Sequence, residues 1–326
     1  MRVAQVTRFG PPEVLVTARR PDPVPGPRDV VIAAAAADTL WVETLIRSGA
    51  GQDVWPMRPP YVPGGAVAGR VVAVGDEVEP GSSGRAVVAH VRTDGRPEGG
   101  YAEQAVVPVE TLVDVPDGLP LTVAAAVLHD GPTALALFDL TRIGASDTVL
   151  VVGASGGLGI VSVQLARARA KRVVATARGA AKLEQVRRLG ADAVVDSAAP
   201  DWPARARDAL GGAADVVLDN IGGAVGEAAF PLLAPGGRFS AHGTPSGRFA
   251  QIDPQEAQRR DVRLFGIGDV QLPDEQRRRY TATALAEAVA GTIAPVVGQT
   301  FPLDDAAAAH AAIEARTVFG TTLLIP

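Results

Sequence analysis

Four glycines crowd the stretch "VVGASGGLGIV": Gly153, Gly156, Gly157 and Gly159. Glycines at this density do one of two things. They let the chain turn tightly, or they also bring backbone N–H groups close to a phosphate at the positive end of a helix. The second use needs a strand before the turn and a helix after it. Leu150 to Val152 is an apolar run of strand type, and "LGIVSVQLARARA" has helical spacing, with Val161, Leu165 and Ala168 able to share one face. The spacing is G-A-S-G-G-L-G rather than the strict dinucleotide fingerprint, and the flanking elements favour a dinucleotide site over a bare turn. Its expected contacts are Gly153, Ser155, Gly156, Gly157, Leu158 and Gly159.

The end of the next strand indicates which dinucleotide. In "RVVATARGAAKLEQ" the positions where an acidic residue would accept ribose hydroxyls hold Thr176, Ala177 and Arg178. Arg178 and Lys182 offer positive charge for a 2′-phosphate, so the expected cofactor is NADPH, with Thr176 beside it. The plain alternative is that both cations are solvated residues at a helix start. Asn220 in "LDNIGG" and Gly243 in "SAHGTPSG" end later strands, where they could reach the ribose or the nicotinamide.

Groups able to move a proton are few. Tyr61 lies among prolines in "PPYVPGG", Glu43 on a short helical stretch, and His129 in "VLHDGPTAL". Each has an ordinary role beside the chemical one: turn packing for Tyr61, a solvated face for Glu43, a structural hydrogen bond for His129. His242 is a further candidate at a strand end, either against substrate or as part of the scaffold. His310 on an Ala-rich helix reads as structural, and His90 as a loop or surface residue. Leu40, Trp41, Leu45, Tyr61 and Phe265 could line an apolar pocket for a flat substrate, Phe265 also contacting the cofactor, or could simply be core.

The chain of 326 residues allows two domains and is 47% hydrophobic with 21% charged residues, a globular composition. A net charge of -5 without like-charge blocks gives no broad basic surface for nucleic acid. The absence of cysteine excludes a disulfide framework, a thiolate nucleophile and Cys-ligated zinc. No apolar run approaches the roughly 18 residues that would suggest a membrane span, and no leader pattern opens the sequence, so no membrane partner and a cytoplasmic location are expected.

Up to about Asp117 short Val-rich segments alternate with Pro and Gly, the pattern of a compact β-rich domain. "VVIAAAAADTLWVETLIRSG" reads as a strand leading into a short helix. Beyond it strands are expected at 149–152, 172–176, 193–196, 215–219, 237–241 and 262–266, with helices between most of them. That is the form of an α/β doubly wound parallel sheet. A helical stretch follows, and the apolar end "TTLLIP" is expected to pair back into the first domain.

Together "PPYVPGGAVAGRVVAVGDEV", "GGYAEQAVVP", "GPTALALFDL", "VLVVGASGGLGIVSVQLA", "DVVLDNIGG" and "LAPGGRFSAHG" resemble the medium-chain dehydrogenase/reductase superfamily, specifically its zinc-independent quinone oxidoreductase-like branch. The resemblance covers nearly the whole chain in the family's order. It implies a GroES-like catalytic domain over 1–118, a Rossmann NADPH-binding domain over 119–269, and a segment 270–326 returning to the catalytic domain. It also implies Thr133 near the nicotinamide, and a homodimer paired through "RRDVRLFGIGDV".

Departures from the pattern narrow the chemistry. Zinc-dependent relatives carry a Cys in the segment matching "AADTLWVE" and a His-Glu pair where this chain has Gly65 and Ala66. An Asn common among quinone oxidoreductases is replaced by Leu40, and a Gly-Lys near the C-terminus becomes Gly320-Thr321. The expected reaction is therefore hydride donation from NADPH to a small hydrophobic conjugated carbonyl compound, a quinone or an enone, without metal. The alternatives are an enoyl-thioester reductase, which would need a basic rim from residues such as Arg92, Arg96 and Arg248, and a non-catalytic NADPH-binding or redox-sensing protein.

Overall fold

The computed structural model describes residues 1–52, 54–91 and 98–326. The chain forms two compact units: Met1–His129 with Arg277–Val289 and Pro295–Pro326, and Asp130–Gln276 with Ala290–Ala294.

The first unit contains β1 (Arg2–Val6), β2 (Leu15–Arg19), β3 (Asp29–Thr39), α1 (Trp41–Ser48), β4 (Ala66–Val74), β5 (Ala86–His90), β6 (Gln104–Pro108), β7 (Val113–Asp114) and α2 (Leu121–Leu128). β3 is the hub, pairing antiparallel with both β4 and β6. Its alanine run is a strand despite high helix propensity, because neighbours on both sides complete its backbone hydrogen bonds. The chain also comes close there: a Cβ on Gly69, opposite Ala34, would lie 2.1 Å from the carbonyl oxygen of Ala33. The core gathers Val3, Val30, Ile32, Val67, Val87 and Tyr101. Because α2 packs on β3 and β4, this unit runs to His129, past the boundary at 118 expected from sequence.

The second unit holds α3 (Asp130–Thr141), β8 (Thr148–Val152), α4 (Gly157–Arg169), β9 (Arg172–Ala177), α5 (Ala180–Arg188), β10 (Ala193–Asp196), α6 (Trp202–Leu210), β11 (Ala214–Asp219), α7 (Gly223–Ala229), β12 (Leu233–Ala241), α8 (Pro254–Arg259) and β13 (Arg263–Gly266). Its six strands are all parallel, in the order β10-β9-β8-β11-β12-β13. That is the Rossmann order, reversing direction between β8 and β11. Leu150, Val152, Val174, Val217 and Phe239 are buried, the unbroken apolar runs of strands covered on both faces.

Helix α9 (Asp274–Ala290) has residues in both units. After it β14 (Val297–Pro302), α10 (Ala306–Glu314) and β15 (Thr321–Ile325) return to the first unit, where β15 pairs with β3. Among the described residues no single helix is long and apolar enough to cross a membrane.

Candidate functional site

At the carboxyl end of β8 the chain turns through Gly153, whose φ of +75° suits glycine. The turn is held from beneath by Thr176: its hydroxyl accepts from Gly153 N at 3.2 Å and its carbonyl from Ala154 N at 2.8 Å. Thr176 is fully buried, so its side chain supports the glycines rather than facing a ribose directly. A Cβ on Gly159 would lie 2.4 Å from the Gly153 carbonyl oxygen, which is why α4 can start so close to the strand. A Cβ on Gly156 would meet nothing within 4 Å. The open space therefore lies over Gly156 at the start of α4, where Gly157 and Leu158 present amides without intrahelical partners. Ser155 is half-buried in the same turn.

Beyond β9, Arg178 is exposed and Lys182 half-buried on the first turn of α5. Burial, and secondarily the charge of Arg178, lowers the Lys182 ammonium, so the two cations share one neighbourhood. Asp196, at the end of β10, accepts from Gly179 N and Ala198 N.

The switch point between β8 and β11 is closed by a buried polar chain. Asn220 donates to the Val152 carbonyl through both its backbone N, at 3.1 Å, and its side-chain Nδ2, at 2.9 Å. Its Oδ1 therefore faces His242 Nε2, at 2.9 Å, and His242 Nδ1 lies 3.0 Å from the Ser240 hydroxyl. An amide oxygen only accepts, so Nε2 carries the proton and Nδ1 accepts from Ser240. Burial pushes the imidazole down to about 4, which keeps it neutral. His242 thus differs from the substrate contact expected of it: both ring nitrogens are satisfied inside the protein. Gly243 lets the next loop pass, since a Cβ there would fall 1.9 Å from the Asn220 carbonyl carbon. Asp219, below them, accepts from Ile221 N and Gly222 N at 2.9 Å, and burial raises its carboxyl to about 6.

In the first unit Glu43 is buried rather than on a solvated face. Its carboxylate accepts from Leu40 N at 3.0 Å, Gly65 N at 3.0 Å and the Tyr101 hydroxyl at 2.5 Å. Burial still raises its pKa against these donors. Having donated to Glu43, the phenol accepts from His310 Nε2 at 3.1 Å. Arg47, 1% exposed, pairs with Glu314 of α10. Glu43 thus ties the residue before α1 to the loop before β4. Sequence reasoning singled out neither Tyr101 nor Arg47; the segment "GGYAEQ" marked the place of Tyr101 but not its partner.

Tyr61 is buried, bridged through its backbone to Val6, and burial raises its hydroxyl far above the ordinary range. His90 ends β5 and is not a surface residue: its ring lies 6.5 Å from that of His129, and burial lowers them to about 3 and about 4. Asp130, next along, is raised to about 7 by burial. Leu40, Trp41 and Leu45 are half-buried at α1, with Trp41 stacked under Arg316 at 5.1 Å. Thr133 in α3 and Phe265 in β13 are half-buried in the second unit. Arg248 is engaged by Glu227 at 2.5 Å, so it is not a free member of a basic rim. Arg92 and Arg96 lie outside the described residues. Among the described residues no cluster of three or more His, Cys, Asp or Glu could hold a metal.

Comparison with known proteins adds family to geometry. Residues 26–117 match the alcohol dehydrogenase GroES-like domain, and residues 157–285 the zinc-binding dehydrogenase family. The chain is 31% identical to the quinone oxidoreductase of Mus musculus, with 95% of this chain and 93% of that protein covered. It is equally 31% identical to a 2-haloacrylate reductase of Burkholderia sp, with 93% and 92% covered. A mycobacterial protein solved in complex with NADPH superposes with a TM-score of 0.89 at 31% identity, over 100% of both chains.

Proposed function

Because this chain belongs to the quinone oxidoreductase branch of the medium-chain dehydrogenase/reductase superfamily, we propose that it uses NADPH to reduce a conjugated acceptor, a quinone or an alkene conjugated to a carbonyl, without zinc. It is an NADPH-dependent oxidoreductase. The observation that carries the reading is the turn from Gly153 to Gly159: space over Gly156, donors at the start of α4, and the cations Arg178 and Lys182 after β9. These residues fit a pyrophosphate and a 2′-phosphate.

NADPH supplies the hydride when bound; the chain binds it, orients it and excludes water. A conjugated acceptor suits a site without a Lewis acid, because its own carbonyl takes up the charge that arrives with the hydride. Leu40, Gly65 and Ala66 offer no metal-ligating side chain. Leu40, Trp41 and Leu45, half-buried together at α1, supply apolar surface suited to a flat acceptor. The proton comes from solvent in this reading, since Glu43 is occupied by three donors and His242 by two partners. Relatives named for quinone and for 2-haloacrylate reduction share an electron-poor conjugated acceptor, which supports the same class here.

β13 is an edge strand with Leu264 exposed, and we assign it to pairing with a second copy in a homodimer. A cytoplasmic location goes with the dependence on NADPH.

The test is NADPH oxidation, with NADH as control, against a quinone, an enone, an enoyl thioester and an unconjugated ketone. Turnover of the quinone or enone with NADPH preferred is expected. Turnover of the ketone alone would refute conjugate reduction, and turnover of the thioester alone would move the substrate to acyl metabolism.

A further inference from the structure

The chain Asn220–His242–Ser240 is buried, fully oriented and spans three strand ends of one parallel sheet. Asn220 closes β11 onto Val152 of β8, and His242 closes the end of β12 onto Asn220. The first three strands of a Rossmann sheet serve one mononucleotide and the last three the other. The glycine turn, Arg178 and Lys182 belong to the half built on β8, β9 and β10, which takes the phosphates and the adenine-side ribose. Asn220 and His242 sit in the half built on β11, β12 and β13, which takes the nicotinamide riboside.

We propose that Asn220, His242 and Ser240 form a positioning relay that fixes the loops after β11 and β12 in the shape that receives the nicotinamide half of NADPH. The proposal rests on the reading of this crevice as the cofactor site. Three features beyond proximity support it. The relay is directional, since every donor and acceptor is set once Asn220 Nδ2 gives its proton to Val152. The loops it joins are in backbone contact, with Gly243 against Asn220 and Gly222 against the Gly243 and Arg248 carbonyls, so a small shift in one displaces the other. His242 and Gly243 also donate from their backbones to the Asp219 carbonyl, so the ring and the peptide hold the same two strand ends. None of the three side chains needs to touch the cofactor for this role.

The experiment compares two ligands on the intact protein: NADPH, which fills both halves, and 2′,5′-ADP, which fills only the adenine side. His242→Phe keeps a ring of similar size and removes both nitrogens. His242→Gln keeps an N–H placed to donate to Asn220, and Ser240→Ala removes only the hydroxyl that orients the imidazole. The expected result is NADPH binding weakened about tenfold in His242→Phe, with 2′,5′-ADP binding within about twofold of wild type. His242→Gln should recover most of the NADPH affinity, and Ser240→Ala should lose about threefold. Equal weakening of both ligands, or no weakening of either, would overturn the relay, as would His242→Gln behaving like His242→Phe. Should His242→Phe not fold, Ser240→Ala and His242→Gln carry the same comparison. Failure of the wild-type protein to bind either ligand would instead refute the cofactor reading itself.

Discussion

The two units solve the problem of making a site in opposite ways. In the parallel-sheet unit the ligand surface is backbone: glycines that open space, amides at the start of α4, and loops kept close by Gly222 and Gly243. In the first unit the polar groups are side chains sealed in the core: Glu43, Tyr101, His310 and Arg47. A backbone site is set by strand order and glycine position and tolerates change around it. A sealed side-chain cluster depends on every member, because each lost partner leaves a buried group without a hydrogen bond.

The contrast is sharpest against acid. His90, His129 and His310 of the first unit are held by burial at about 3, about 4 and about 3, below the ordinary imidazole value. Between about pH 6.5 and 4 the unfolded chain binds protons that these folded imidazoles refuse, so the first unit loses stability as pH falls. Each imidazole contributes about 1.4 kcal/mol per pH unit over that window. Glu43, raised by burial, opposes them. The second unit has one lowered imidazole, His242, against two raised acids, Asp130 at about 7 and Asp219 at about 6. A raised carboxyl binds its proton more readily when folded, so its contribution grows as pH falls from about 7 toward the unfolded value. Hydrogen exchange at pH 7.5 and pH 5 should therefore show protection lost from β3 and β4 well before β8 and β11. Loss in the reverse order would break the comparison.

Glu43→Ala comes next in size. It strands the amides of Leu40 and Gly65 and the Tyr101 hydroxyl, all in low-dielectric surroundings. Urea denaturation should show a loss of about 3 kcal/mol. Glu43→Gln, which keeps one acceptor oxygen, should fall between Ala and wild type, and equality of all three would show the carboxylate to be dispensable.

What could be read in the sequence follows the same division. The parallel strands were legible because their apolar runs are continuous and the glycines punctuate them; the expected strand at 193–196 is found at those residues, and that at 149–152 begins one residue earlier, at Thr148. The Glu43 cluster was not legible, because its members come from α1, the loop before β6 and α10, segments far apart in the chain that the return of β15 to β3 helps bring together. His242 was visible as a residue at a strand end. Its role was not, because it depends on an amide more than twenty positions upstream pointing back at Val152. The return of β15 was legible from its apolar composition, whereas the boundary at 118 fell short because the helix after it packs on β3 and β4 rather than on the parallel sheet.

Within the backbone site two glycines with one sequence spacing should separate. Gly159→Ala forces a Cβ against a backbone oxygen that cannot move aside, with an expected cost of about 2 kcal/mol in stability and a loss of cofactor binding with it. Gly156→Ala adds the same methyl to open space at a φ of −87°, so the fold should keep its stability. NADPH affinity should nonetheless fall about tenfold, because the methyl enters the volume assigned to the pyrophosphate. A stable Gly156→Ala protein with unchanged NADPH affinity would place the phosphate elsewhere.

The smallest effect separates the two nucleotides. Arg178 is exposed, so Arg178→Ala should leave the denaturation midpoint unchanged. A phosphate contact there is charge-assisted, and its loss should raise KM for NADPH about tenfold while leaving KM for NADH where it was. Lys182→Ala should act in the same direction, since its ammonium shares the neighbourhood of Arg178. Added salt should narrow the gap between the two cofactors in the wild type and leave the Arg178→Ala protein nearly indifferent, since screening acts on the charge that the substitution removes. If KM for both cofactors rose together, Arg178 would be serving the turn rather than the 2′-phosphate, and the choice of NADPH would have to be made by another residue.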